Sequence, residues 1–169
     1  MKKFAFVFPG QGSQAVGMLD AWGDHPAVRQ AVQEASDALD EDLGALIAQG
    51  PKEALALTTN TQPVMLLAGV AAWRVWQAEG GALPDAVAGH SLGEYSALVA
   101  AGVLSLGQAI PLVRLRAAAM QAAVPVEDDD TEDTLAARVL VQEHILYPRA
   151  IELYLKGRLV VEGRHVKIQ

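Results

Sequence analysis

The 169-residue sequence predicts an α/β fold, a partial parallel sheet with flanking helices, followed by a C-terminal helical segment and a short β-hairpin. Strand-like and helix-like patterns alternate along most of the chain, as they do in parallel sheets. Glycine-rich turns follow both strand-like runs, in "PGQGSQ" and "GHSLG". Beyond Gln121 the alternation stops, and helical spacing leads to a hairpin-like end.

The first strand is predicted in "FAFVFPG", where an uninterrupted β-branched and aromatic run is typical of a buried parallel strand. Lys2 and Lys3 precede this apolar run, a combination that superficially resembles a signal peptide. The run is short and ends at Pro9, so we interpret it as a strand. A helix is then predicted from Pro26. Its apolar face consists of Val28, Ala31, Val32, Ala35 and Leu39.

A second strand is predicted in "PDAVAG", between two helices. The preceding helix has Pro63 in its first turn and ends at Gly80-Gly81. The following helix continues through "SLGEYSALVAAG" to Gly102. Ser105 is then placed to cap a further helix that Pro111 interrupts.

The tail begins with the acidic run "EDDDTED", interpreted as a solvated loop leading to a helix capped by Asp130 or Thr131. Pro148 is expected to start a second short helix, which Gly157 ends. "RLVVEGRHVKIQ" predicts a hairpin that turns at Glu162-Gly163. We therefore predict a core over residues 1–126 and a tail over residues 127–169.

Composition excludes several functional classes. Without cysteine the chain has no disulfide, thiolate catalyst or zinc-thiolate site, and no metal site is expected. The net charge of −7 argues against nucleic-acid binding. No apolar run is long enough for a membrane span, and a cytoplasmic location is expected.

The turn "GHSLGEYSAL" is typical of a nucleophile elbow, with Ser91 exposed between a strand and a helix. The Leu92 N–H at the helix start would then stabilise an oxyanion. In "GQGSQ" the glycines allow close backbone approach, and the Gln11 N–H is a candidate second donor. The alternatives are a serine that caps the helix and an ordinary glycine-rich turn; phosphate binding is disfavoured because no Walker lysine follows.

"FVFPGQGSQ", "TQP" and "GHSLGEYSAL", in this order, resemble malonyl-CoA:acyl carrier protein transacylases of fatty-acid biosynthesis. The resemblance runs from Met1 to about Val126. It implies an α/β-hydrolase-like acyltransferase core and a ping-pong transfer of malonyl from coenzyme A to acyl carrier protein. The coenzyme A thioester is a substrate, and no bound cofactor is implied.

The resemblance assigns Ser91 as nucleophile and the Gln11 and Leu92 amides as the oxyanion hole. Gln62 would line the pocket, and Arg116 in "LVRLRAAAMQ" would hold the malonyl carboxylate. A guanidinium fork matches a carboxylate, which makes that role chemically sensible. From the residues alone, a solvent-facing arginine on an amphipathic helix is the favoured interpretation. A kink at Pro111, before Arg116, would also move its guanidinium.

The base that would activate Ser91 has no convincing counterpart in the sequence. In the family, the catalytic histidine follows an inserted ferredoxin-like subdomain, and we expect both to be missing. His90 adjoins the serine on a sharp turn, His25 precedes a helix start, and His165 lies in the hairpin. His144, near a helix end, is the strongest of these weak candidates to replace the catalytic histidine.

The tail, about residues 127–165, resembles the C-terminal end of phosphoribosylglycinamide formyltransferases, without their catalytic residues. The resemblance implies a chimeric chain and no formyltransferase activity. We expect impaired malonyl transfer; the alternative is a chimeric or truncated chain with no turnover. A shortened sheet would expose an apolar edge, so marginal stability or self-association is expected unless the tail covers it. The covering side chains would be Leu135, Val139, Leu146 and Ile151.

Overall fold

A computed structural model describes residues 3–123, 126–162 and 165–168. Strands and helices alternate through the first part of the chain, and one long helix and a hairpin follow. The elements in chain order are β1 (Ala5–Phe8), a 3-10 turn (Asp20–Trp22), α1 (Pro26–Leu39), α2 (Leu43–Gln49), α3 (Lys52–Ala56), α4 (Thr58–Ala78), β2 (Ala86–Gly89), α5 (Gly93–Ala100), α6 (Leu106–Ala123), α7 (Glu132–Leu155), β3 (Leu159–Glu162) and β4 (His165–Ile168).

The sheet that positions the site consists of β1 and β2, which pair in parallel with Phe8 opposite Gly89. The pair is closed at its start by Phe4 and Asp85. The Phe4 N–H donates to the Asp85 carboxylate at 3.0 Å, and the Asp85 N–H donates to the Phe4 carbonyl at 3.0 Å. At the other end the His90 N–H donates to the Phe8 carbonyl at 3.2 Å. The predicted α/β class with a partial parallel sheet is confirmed.

Most of the core lies between α1, α4 and α6, which pack against one another. The predicted face of α1 is buried, except that Val32 is only half-buried. A smaller cluster joins the sheet to α4 and α5 through Phe8, Trp73 and Ala97. The amphipathic spacing in the sequence therefore located the core correctly at α1.

Helix α4 begins at Thr58, more than a turn before Pro63, so the expectation that this proline lies in the first turn is wrong. Side chains of the added turn bind carbonyls at the end of α3. The Asn60 amide donates to Ala54 at 3.0 Å, and the Thr61 hydroxyl donates to the Leu55 carbonyl. These bonds hold the first turn of α4, and Pro63 is accommodated inside the helix.

Helix α6 starts at the predicted cap and continues through its proline. The Ser105 hydroxyl accepts from the Gln108 N–H at 3.2 Å, and the Gln108 side chain accepts from the Ser105 N–H at 3.0 Å. This reciprocal pair is a capping box. Pro111 lies inside one helix, Leu106–Ala123, and does not end it.

The tail contains one helix where two were expected. Helix α7 passes through Pro148, and Thr131 caps it by accepting from the Thr134 N–H at 3.2 Å. Leu146 precedes the proline and Leu153 follows it, and both line one cavity against α6. Both parts of α7 thus pack against α6, which keeps the helix continuous. The helix ends before Gly157, which has a φ of 63°.

Strands β3 and β4 form the predicted antiparallel hairpin, whose turn at Gly163 lies outside the described residues. Leu135, Val139 and Leu146 are half-buried, and the side chain of Ile151 also lies outside the description. Within the described ranges, no helix is both long enough and apolar enough to cross a bilayer.

Candidate active site

The predicted elbow is present between β2 and α5. Ser91 has a φ of 52°, in the left-handed region that non-glycine residues rarely adopt. The helix that follows begins at Gly93, so the Ser91 hydroxyl stands at its N-terminal end. A strained serine at a strand-to-helix turn is the geometry of an exposed nucleophile.

The two glycines around Ser91 are required by close packing. A Cβ at Gly89 would overlap the carbonyl group of Gly93. A Cβ at Gly93 would overlap the Phe8 carbonyl oxygen and lie 2.7 Å from that of Pro9. The elbow therefore packs directly on the end of β1, with backbone against backbone.

The two expected oxyanion donors, Gln11 and Leu92, lie in the two turns that meet at the elbow. Leu92 directly precedes α5, and its side chain is buried. Gln11 follows Gly10, whose own Cβ would be 3.2 Å from the His90 carbonyl oxygen. Neither the Leu92 nor the Gln11 backbone N–H donates a hydrogen bond to any described residue. Gln11 and Ser91 line the same cavity, about 570 Å³ in volume.

Arg116 is buried beside Ser91, with 6 % of its surface exposed, so the alternative of a solvent-facing side chain does not hold. Its Nη1 donates to Gln62 Oε1 at 2.6 Å, and its Nη2 donates to Ser91 Oγ at 3.1 Å. Gln62 is fully buried and approaches the Met120 sulfur through Nε2 at 3.8 Å. The continuous α6 thus brings Arg116, Gln62 and Ser91 together.

Glu143 on α7 completes this cluster, and the sequence analysis did not identify it. Its carboxylate forms an ion pair with Arg116 Nη2 and accepts a hydrogen bond from Ser91 Oγ at 3.0 Å. Glu143 follows Val139 by one helical turn, on the face of α7 that was expected to cover the core. An acidic residue on that otherwise apolar face was the available signal.

No imidazole is hydrogen-bonded to Ser91 in the described part of the chain. His90 and His144 line a cavity of about 300 Å³ with the serine. His25 caps α1 through Nδ1, and the side chain of His165 lies outside the description. Among the described residues there is also no group of three side chains that could hold a metal ion.

Comparison with known proteins identifies the family. Residues 5–146 match the family model of the acyl transferase domain. The chain belongs to the acyl transferase domain family. The match of this acyl transferase chain extends past the predicted boundary at residue 126 and includes Glu143.

The N-terminal region matches malonyl-CoA:acyl carrier protein transacylases. The Salmonella typhimurium transacylase is 57% identical over 179 residues, covering 100% of this acyl transferase chain and 57% of the relative. An acyl-carrier-protein S-malonyltransferase from Burkholderia pseudomallei has a TM-score of 0.72 at 66% identity, covering 74% of this chain and 41% of that one. A malonyl-transacylase in complex with a type II PKS acyl-carrier protein has a TM-score of 0.71 at 59% identity, covering 73% and 40%. The chain thus spans little more than half the length of its curated relatives.

Proposed function

We propose that this acyl transferase domain moves a malonyl group from coenzyme A to acyl carrier protein through an ester on Ser91. The contact between Arg116 Nη2 and Ser91 Oγ, 3.1 Å long, carries the proposal. Malonyl thioesters have a carboxylate close to the carbonyl that is attacked. A buried guanidinium beside the nucleophile supports selection of that carboxylate.

The proposed reaction has two similar halves. Ser91 Oγ forms a bond to the thioester carbonyl carbon, and the oxyanion is stabilised by the Leu92 and Gln11 N–H groups. The C–S bond then breaks, and coenzyme A leaves as a thiol with the proton that the serine lost. In the second half, the thiol of acyl carrier protein attacks the ester and the proton returns to Ser91. The names of the relatives, one solved with its carrier protein, support these substrates.

Turnover is proposed to be impaired, because no described imidazole is hydrogen-bonded to Ser91 to accept its proton. Enzymes that lose a triad member lose on the order of 10⁴ to 10⁶ in turnover and retain weak oxyanion-hole catalysis. The alternative is a chain with no turnover. The formyltransferase-type origin of the tail and the cytoplasmic location stay predictions.

The test is intact-mass measurement after mixing with malonyl-CoA, with Ser91→Ala as the control. We expect a slow mass gain of one malonyl group in the wild-type chain and none in the variant. An adduct that persists in Ser91→Ala would show modification elsewhere. No adduct over hours in the wild-type chain would support the alternative.

Arg116→Ala tests the proposed carboxylate anchor. We expect the ratio of malonyl to acetyl labelling to fall at least about tenfold, because the charge that recognises the second carboxylate is lost. Labelling with malonyl-CoA and acetyl-CoA in parallel measures this ratio independently of the overall rate. An unchanged ratio would remove Arg116 from substrate recognition.

A further inference from the structure

We propose that Glu143 occupies the position of the substrate carboxylate, which makes α7 an autoinhibitory strap across Ser91. The inference rests on the proposed function of Ser91 and Arg116. Glu143 presents a carboxylate to the same guanidinium that would bind malonyl, and it also accepts a hydrogen bond from the nucleophile at 3.0 Å. A diacid acyl group can therefore bind Arg116 only after Glu143 has moved.

The charges explain why the strap closes. The side chain of Arg116 is 5 % exposed and that of Glu143 is 19 % exposed, so the ion pair is largely shielded from water. A buried guanidinium without a counter-ion is costly, and in the described structure Glu143 is the anion that compensates it. The substrate carboxylate would supply the same compensation.

Arg116 also keeps an unused donor. Its Nε is buried and has no hydrogen-bond partner among the described residues. Glu143 contacts only Nη2, whereas a carboxylate with both oxygens free can bind Nε and Nη2 together. A substrate carboxylate is thus able to replace Glu143 with a more complete set of hydrogen bonds.

The structure provides room for this exchange. The cavity of about 570 Å³ beside Ser91 also reaches Glu143 and is bordered by apolar side chains of α7. Leu135 and Val139 are half-buried there, and Leu140 is exposed. The face of α7 near the serine is therefore loosely packed, and Glu143 can turn into the cavity without unfolding the core.

A second role for Glu143, as general base for Ser91, is chemically weaker. A carboxylate held by a buried guanidinium interacts with it most strongly when ionised. Taking the serine proton would neutralise Glu143 and leave the Arg116 charge uncompensated. The two roles predict opposite effects of the same substitution.

The decisive measurement is the affinity for monomethyl malonate in a Ser91→Ala background, by isothermal titration calorimetry. This probe has one carboxylate and an ester in place of the thioester, and its binding requires no reaction. We expect adding Glu143→Gln to tighten binding at least about tenfold, as it should if the strap is closed in nine of ten molecules or more. Adding Glu152→Gln, on the same helix but away from the serine, should leave the affinity unchanged.

Equal or weaker binding after Glu143→Gln would overturn the proposal. Circular dichroism verifies folding, and Glu143→Ala, which leaves more space at the guanidinium, replaces the glutamine variant if that one is unfolded. If neither variant folds, Glu143 is a structural residue and the strap is also refuted.

Labelling rates distinguish this inference from the proposed function. With Ser91 intact, Glu143→Gln should label faster than wild type with both donors, and the gain should be larger for malonyl-CoA, because only malonyl also needs the Arg116 guanidinium. Slower labelling with both donors would assign the base role and overturn the strap. No labelling in any variant would refute the proposed function, while the binding measurement would still decide the role of Glu143.

Discussion

At the scale of one residue, the backbone of Ser91 is held in a conformation that costs stability. Its φ of 52° is unfavourable for any residue with a Cβ, by about 1 kcal/mol relative to glycine. Ser91→Gly should therefore be more stable than Ser91→Ala by about that amount. Both variants lack the hydroxyl, so urea unfolding of the pair isolates the backbone effect. Equal stability would mean that the elbow relaxes when the serine is replaced.

Replacing Gly93 should have a larger effect on stability than replacing Ser91, because a Cβ added at Gly93 meets backbone atoms that cannot turn away. Gly93→Ala should destabilise the fold by about 3 kcal/mol or more. Gly107→Ala is the matched control, since its Cβ would be 3.8 Å from a Glu34 oxygen, an ordinary contact. Thermal unfolding of both variants measures the difference. A Gly93→Ala protein with wild-type stability would contradict the close packing of β1 against the elbow.

At the scale of an element, the start of α7 depends on an ionised carboxylate. Asp130 accepts a hydrogen bond from the Glu127 N–H at 2.8 Å, and it also contacts Arg138 and Thr134. The Glu127 N–H, followed by Arg138 and then Thr134, holds the pKa of Asp130 below its ordinary value of 3.8. The folded chain therefore favours ionised Asp130 more than the unfolded chain does.

The stability that Asp130 contributes should be complete above pH 3.8 and lost as the pH falls through the lower folded pKa. Asp130→Asn should thus lower the Tm at pH 7, and the difference from wild type should shrink as the pH falls below that value. Thermal unfolding monitored by circular dichroism between pH 7 and pH 2.5 measures this. Asp128→Asn, in the exposed loop, is the control and should have little effect at either pH. A difference that is independent of pH would exclude the carboxylate as its cause.

The elements that the sequence predicted best are those governed by local rules. Apolar spacing and Pro26 define α1, and Ser105 caps α6 as expected. Pro63 was wrongly placed in the first turn of its helix, and Pro148 was misinterpreted as a helix start. Both lie inside helices, because hydrogen bonds to α3 and packing against α6 outweigh a local preference, and neither contact is visible in sequence.

In the site, too, local patterns located residues, whereas a residue placed only by a tertiary contact was missed. The motifs placed Ser91 at the turn, and the family resemblance singled out Arg116 and Gln62. Glu143 was missed because its contact with Ser91 joins α7 to the elbow, 52 positions apart. No local pattern encodes such a contact, although the acidic residue on an apolar face was a hint.

At the scale of the whole molecule, β1 is an edge strand with exposed apolar surface. It pairs only with β2 among the described strands, and Val7 is 66 % exposed. We expect self-association that increases with concentration, as such edges pair with other chains. Sedimentation velocity should show Val7→Lys shifted toward monomer, with Val103→Lys, equally exposed in a loop, unchanged. A wild-type chain that stays monomeric at all concentrations would contradict this.

The closure of β1 on β2 determines when the site can exist at all. The bond between Phe4 and Asp85 joins positions 81 residues apart. The same pairing of β1 with β2 brings the turn of Gln11, which follows β1, to the elbow, which follows β2. Bringing distant segments together costs chain entropy before contacts compensate it, so it tends to be a late and slow event in folding. We therefore expect the turn of Ser91 and the loop of Gln11 to come together late in folding, after the helices have formed.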